Sequence, residues 1–346
     1  MASLLPYSDS VETIPADESQ DIDRIVEIMR STLRQHLEKS GRLTSDVHAK
    51  PHACVLAEFQ VAGGLPPEVA QGLFARPGLY PAFVRFSNTA PWFQPDAVPD
   101  GRGLAVQVDL RGERSPFASS DVATQDFVMA NNSTFVAANV KGLLELEEAR
   151  QRAGDNPLMF AATLALSHKN PLDWNWRGIQ AAASVATQLP KHPASYTYFS
   201  MAPIRFGDFV AKYRVLPDAE LSPSAIESTA SFATQRDAMR RLLEETLRER
   251  ELRFAFQVQL RTSSDMPIED ATVEWRESDS PYRTVAALVI SRQDLAATAE
   301  EEDRVRRSFS VWNALPEHRP LGGINRVRRR VYAESSAWRR QADAPG

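Results

Sequence analysis

Two histidines, His48 and His52, stand four residues apart in TSDVHAKPH, residues 44–52, just before an apolar run from Ala53 to Phe59. An imidazole here could fill a core, bind a metal with its neighbour or move a proton. A zinc pair at this spacing needs a helix, as in the HExxH arrangement. Pro51 and the strand-like run after it argue against a helix, and no glutamate lies between the histidines. A solitary histidine before a strand also has a plain reading as a satisfied core residue. The second chemically suggestive stretch is the basic tail RVRRRVYAESSAWRR, residues 326–340, with Tyr332 inside it. On a chain of net charge -5 such a tail reads as a solvated helix face rather than a nucleic-acid site, and its tyrosine as a half-buried packing residue.

These groups must be placed by the rest of the chain. The 346 residues suffice for one large domain, which needs no disulfide or metal staple. Apolar and charged fractions of 43% and 25% are those of a soluble globular protein. The single cysteine, Cys54, excludes an internal disulfide framework and a multi-cysteine zinc site, and its surroundings predict a buried strand position. The segment MASLLPYSDSVET lacks a basic region followed by an apolar core, and no apolar stretch approaches the ~20 residues of a membrane span. A cytoplasmic protein is the expectation, with no nucleic-acid or membrane partner.

Residues 1–19 are polar and irregular and read as a flexible arm, followed by a single domain over 20–340. Ile22, Ile25, Val26, Met29, Leu33 and Leu37 recur at helical spacing until Gly41. Short apolar runs at 53–61, 82–87, 103–110 and 126–130 predict closely spaced strands. Helices are predicted at 140–153, 156–167 and 176–188, strands at 196–201 and 209–215, and a long amphipathic helix from Ser222 to about Arg250 with Pro223 in its first turn. Strands at 252–262 and 282–291 and a basic helix over 326–340 complete an α+β domain with a β-rich centre.

The wording of the motifs goes further. In order the chain reads VHAKPHACVLAEFQV, PAFVRFSNTAPW, PDGRGLAVQVDL, QDFVMANNSTFV, RFAFQVQLRTSSD, SPYRTVAALVISR, FSVWNALPEHRPLGGINR and RVRRRVY. Each is weak alone, but the ordered series, from about Leu43 to Tyr332, resembles the haem catalase superfamily and looks most like its small catalase-related branch. The resemblance implies an antiparallel β-barrel core with surrounding helices. It implies haem b, its iron ligated by Tyr332, with Arg328 standing four residues before that ligand. His48 of VHAK would lie on the distal face of the haem, assisted by Asn131 or Asn132, of which the motif spacing favours Asn131. Ser87 and Arg85 of VRFS would orient the distal histidine and hold the haem carboxylates, and Phe135 would pack on the distal side.

These residue types suit peroxide chemistry. The peroxide must lose a proton from one oxygen and gain one on the other, and a neutral imidazole can do both. An asparagine amide can donate to the developing negative oxygen. A tyrosine binds iron as phenolate, which a nearby arginine favours. Three departures widen the substrate question: Ser45 replaces a family arginine, VAANV follows Phe135 where an aromatic and an Arg-Asp pair are usual, and Arg330 stands where an aromatic precedes the ligand. The leading expectation is therefore a haem peroxidase or catalase-like oxidoreductase acting on hydrogen peroxide or organic hydroperoxides with an unidentified reductant. The alternatives are rearrangement of a fatty-acid hydroperoxide, as in an allene oxide synthase, and non-enzymatic haem binding. A homo-oligomer is compatible with each.

Overall fold

The computed structural model describes residues 3–40, 48–90, 93–112, 116–117, 123–154, 176, 179–180, 183–184, 187–218, 236–295 and 307–342. Its centre is an antiparallel sheet of nine strands: β1 (Pro51–Val61), β2 (Gly78–Asn88), β3 (Arg102–Asp109), β4 (Thr124–Ala130), β5 (Tyr198–Phe199), β6 (Ile204–Phe206), β7 (Phe209–Pro217), β8 (Leu252–Leu260) and β9 (Arg283–Ile290). The hydrogen-bonded order is β5-β4-β3-β2-β1-β9-β8-β7-β6, and an additional pairing of β5 with β7 closes eight of these strands into a barrel, leaving β6 as a flap on β7. Closure removes the exposed edges that an open sheet would present.

Alternation along the strands explains the filling. Ala53, Val55, Phe59 and Val61 of β1 turn inward with Val84 and Phe86 of β2, Phe127 of β4, Tyr213 of β7 and Phe256 of β8. Phe127 and Phe256 meet with ring centroids 4.7 Å apart, and Phe59 and Phe256 at 5.2 Å. The barrel is thus a packed core rather than a ligand cavity. Cys54 is free and buried on β1, as the sequence predicts.

Chemistry-bearing residues therefore sit outside the barrel, against helices α1 (Glu18–Ser40), α2 (Val140–Ala153), α3 (Ala238–Glu249) and α4 (Gly323–Ala342). Ile22, Ile25, Val26, Met29 and Leu33 of α1 pack with Val140 of α2 and with Val327 and Val331 of α4. Asn139 caps α2, its side chain accepting from Gly142 N at 3.0 Å. Where the N-terminal segment is described it lies on the body: Leu5 N donates to Arg261 O and Tyr7 N to Asp208 O. Glu12 and Glu18 both pair with Arg326 at 2.6 Å. Gly322 N and Gly323 N donate to Glu12 and Glu269, so carboxylates complement the positive end of α4. Within the predicted 222–250 helix, 238–249 is helical and 222–235 lies outside the described residues; so does the predicted helix at 156–167, and only fragments of 176–188 are described.

The segment leading into α4 is held on β4 by Asp126. Its buried carboxylate accepts from Thr124 Oγ1 at 2.8 Å, Asn313 Nδ2 at 2.8 Å, Ser310 N at 3.0 Å and Gln107 Nε2 at 3.3 Å. Burial pushes its pKa up to about 6 despite these four donors. Asp126→Asn turns an N–H₂ toward groups that are themselves donors. The variant should lose about 1–3 kcal/mol of stability in urea unfolding; unchanged stability would show that the network contributes nothing.

Candidate functional site

His48 precedes β1 in a left-handed conformation, φ 57°, uncommon for a residue with a Cβ and held here by contacts on all sides. Its backbone N donates to Thr89 O at 3.3 Å, and its carbonyl accepts from Arg85 Nη2 at 3.0 Å. Its Nδ1 lies 2.8 Å from Asn88 O and 3.1 Å from Ser87 Oγ. A carbonyl only accepts, so Nδ1 carries the proton. This assigns the tautomer and leaves Nε2 as the free lone pair. Burial lowers the pKa to about 4, Arg85 and Arg328 adding to the effect and the Asn88 carbonyl opposing it. The ring is neutral at pH 7.

Room for that ring comes from a residue whose role the sequence reading missed. A Cβ on Gly103 of β3 would overlap His48 Nδ1 and lie 2.8 Å from Ser87 Oγ. A glycine inside a strand pattern marks such a close approach, and that was the available signal. Gly103→Ala should push the imidazole off the Asn88 carbonyl and cost about 1–3 kcal/mol by overpacking. The histidine NMR titration reads the displacement: loss of the Asn88 carbonyl, which raises the His48 pKa, moves that pKa further down in the variant. An unmoved pKa would mean that the barrel wall yields instead.

His48 lines a cavity of about 250 Å³. Its walls carry Asn131 and Asn132 after β4, Phe135, Leu143 of α2, Ile25 and Met29 of α1, and Arg328, Val331 and Tyr332 of α4. Arg328 and Tyr332, one turn apart, face it together. Arg328 is buried, donates to Asn325 Oδ1 at 3.2 Å and has its guanidinium carbon 5.4 Å from the Phe135 ring centre. Arg85 and Ser87 lie behind His48 on β2, outside the lining itself.

The two asparagines differ. Asn131 Oδ1 accepts from Arg102 N at 2.7 Å, and its Nδ2 donates to Gln188 Oε1. Asn132 Nδ2 is buried with no partner among the described residues. His52 is not part of the cavity lining. It is buried on β1, neither ring nitrogen has a hydrogen-bond partner among the described residues, and its Nδ1 is 3.8 Å from Asp96 Oδ1. Burial, with Arg102 and Lys50 nearby, holds its pKa well below the usual value, so it stays neutral. No group of three or more His, Cys, Asp or Glu side chains suited to a metal occurs among the described residues, and no described helix is long and apolar enough to cross a membrane.

The fold is that of the catalases. A fungal catalase superposes with a TM-score of 0.68 over 88% of this chain and 61% of its own, at 15% identity. Catalase A from Saccharomyces cerevisiae gives 0.67 over 88% and 63% at 16% identity, and a bacterial catalase 0.63 over 97% and 65% at 16% identity. The chain thus spans under two thirds of the length of these proteins. No family model and no curated protein matches the sequence.

Proposed function

We propose that this chain is a haem-dependent oxidoreductase that activates hydrogen peroxide or an organic hydroperoxide. The observation that supports it is the shared cavity: His48 reaches it from the start of β1, and Tyr332 with Arg328 reaches it from α4.

The cavity's chemistry fits a haem. Its lining is mostly apolar, as a macrocycle requires, with a phenol and a guanidinium on one helix and a neutral imidazole from the barrel. Tyr332 would ligate the iron, with the Arg328 guanidinium one turn away on the same helix, and Phe135 and Leu143 would pack against the ring. The group, when bound, supplies a redox-active iron with tyrosinate ligation, which favours peroxide chemistry over reversible oxygen binding.

The chain's own residues handle the protons. His48 Nε2, free and unprotonated, takes the proton from one peroxide oxygen and returns it to the other. The Asn88 carbonyl holds Nδ1–H, fixing the tautomer in which Nε2 is the base. Asn131 braces the start of β3 through Arg102. Among the described residues the amide whose donor has no partner is Asn132, which favours Asn132 for the hydrogen bond to the developing negative oxygen, where motif spacing favours Asn131. Asn132→Ala should slow peroxide activation by about 10²–10³-fold. Asn131→Ala should mainly reduce stability. The reverse ranking in single-turnover mixing would return the role to Asn131.

The apolar margin formed by Ile25 and Met29 of α1 favours organic hydroperoxides among the substrates. Product analysis separates the classes. Hydroperoxide consumed only with an added electron donor supports the peroxidase, and rearranged product without a donor supports the isomerase. Haem binding without turnover of any hydroperoxide would contradict an enzymatic role.

A further inference from the structure

A second pocket lies on the outer wall of the barrel, where the 262–282 loop covers β7 and β8. It has a volume of about 350 Å³, and its lining includes Phe199, Lys212, Gln259, Glu274, Trp275 and Tyr282. The catalytic proposal uses none of these residues.

Lys212 of β7 pairs across the ladder with Gln259 of β8. The lysine is 3% exposed, donates to Val273 O at 3.2 Å and stands 5.2 Å from the Trp275 ring centre. Among the described residues no carboxylate lies within ion-pair distance of it. Lys50, the other buried lysine, shows the contrast: its ammonium sits 2.7 Å from Asp96 and 2.9 Å from Asp237. Gln259 is fully buried; its Nε2 donates to Trp275 O and Ser280 O, while Oε1 has no partner. Among the described residues the pocket therefore presents an amine with no carboxylate at ion-pair distance and an amide oxygen with no donor, beside aromatic rings.

We infer that this pocket captures small aromatic or apolar carbonyl compounds as an imine on Lys212. The neutral Nζ attacks the carbonyl carbon, and a C–N bond forms as the C=O π bond opens onto oxygen. Glu274, on the pocket wall, relays two protons from nitrogen to oxygen: the first turns the alkoxide into the hydroxyl of the adduct, and the second turns that hydroxyl into water as the nitrogen lone pair forms the C=N bond. Water departs and the C=N bond remains, with no oxidant or reductant needed. Gln259 Oε1 accepts the hydroxyl proton of the tetrahedral adduct. The aromatic side chains of Trp275, Tyr282 and Phe199 in the lining set the class of carbonyl. Burial lowers the ammonium pKa to about 8, with Glu274 and Asp270 opposing. About a tenth of the amine is then neutral at pH 7, against less than about a thousandth for an ordinary lysine. None of this rests on the haem assignment.

The test is reductive trapping on the full chain. The protein is incubated at pH 7 with benzaldehyde and cyanoborohydride, and benzylated lysines are mapped by mass spectrometry over time. Lys212 should be labelled about tenfold faster than the exposed Lys141 and Lys191. Lys212→Arg keeps a cation in place against refolding artefacts and should abolish the fast phase. Glu274→Gln should slow it several-fold. Labelling of Lys141 and Lys191 with Lys212 untouched, or an unchanged fast phase in Lys212→Arg, would overturn the inference. An unchanged rate in Glu274→Gln would overturn the role given to that carboxylate.

Discussion

Tyr332→Phe should cost this protein its haem. The substitution removes one oxygen from the wall of the cavity and leaves the apolar ring that packs with Val327, Val331 and Leu143. The helix and barrel should survive, because Tyr332 is only partly buried and its hydroxyl makes no hydrogen bond among the described residues. Iron affinity depends on the donor atom: even outer partners of a ligand change affinity by about 10–100-fold, and loss of the ligand itself should exceed ~100-fold. Equilibrium titration with haemin, paired with circular dichroism, separates lost ligation from lost fold. A folded variant that binds haemin with unchanged affinity and an unchanged spectrum would remove Tyr332 from the site. Arg328→Ala is the companion measurement. It should retain some haem, since the donor oxygen of Tyr332 is still in place.

His48→Ala should bind haem and fail to use it. Loss of a positioned acid–base group slows such steps by roughly 10²–10⁴-fold. In stopped-flow mixing of the haem-loaded protein with peroxide, His52→Ala should react at the wild-type rate, because His52 is no part of the cavity lining. The pH dependence adds a check. His48 works in its neutral form, and its pKa is lowered to about 4 by burial, with Arg85 and Arg328 adding. The rate should therefore stay level from pH 7 down through 5 and drop only as pH falls through about 4. A midpoint near the ordinary histidine value, or equal rates in wild type and His48→Ala, would exclude His48 as the base. A collapse in His52→Ala alone would identify the other histidine of the pair.

Much of this architecture was legible because periodicity reports burial. The helix predicted at 140–153 is α2 to the residue, and the helical periodicity from Ile22 to Leu37 falls within α1, since both bury an apolar stripe. The barrel strands alternate because one face meets the aromatic core. The readings fell short where structure depends on partners distant in sequence. Residues 196–201, read as one strand, hold only the two-residue β5, and Met201 turns the chain with φ 60° before β6. β6 itself has three residues and owes its existence to a hairpin about Gly207, too short to show a period. The start of α4 was placed at Arg326, after two glycines that disfavour helix. Glu12 and Glu269 satisfy the backbone N–H groups of that first turn from remote segments, so the helix begins at Gly323.

The site divides in the same way. His48, Arg328 and Tyr332 were named from types, spacing and a family resemblance, and the structure brings all three to one cavity. The Asn88 carbonyl that sets the imidazole tautomer could not be read, because a backbone acceptor leaves no mark in side-chain identity. Gly103 sat in a quoted motif, yet its meaning required the cross-strand register that places it opposite Ser87. The choice between Asn131 and Asn132 turns on side-chain partners, Arg102 N and Gln188, far apart in the chain.

The most direct test of the central claim is resonance Raman spectroscopy of the full chain titrated with haemin. The account predicts saturation at one haem per chain, with iron–phenolate vibrations that disappear in Tyr332→Phe and persist in His48→Ala. Failure to saturate, or a bound haem whose spectrum carries no phenolate vibrations, would contradict it.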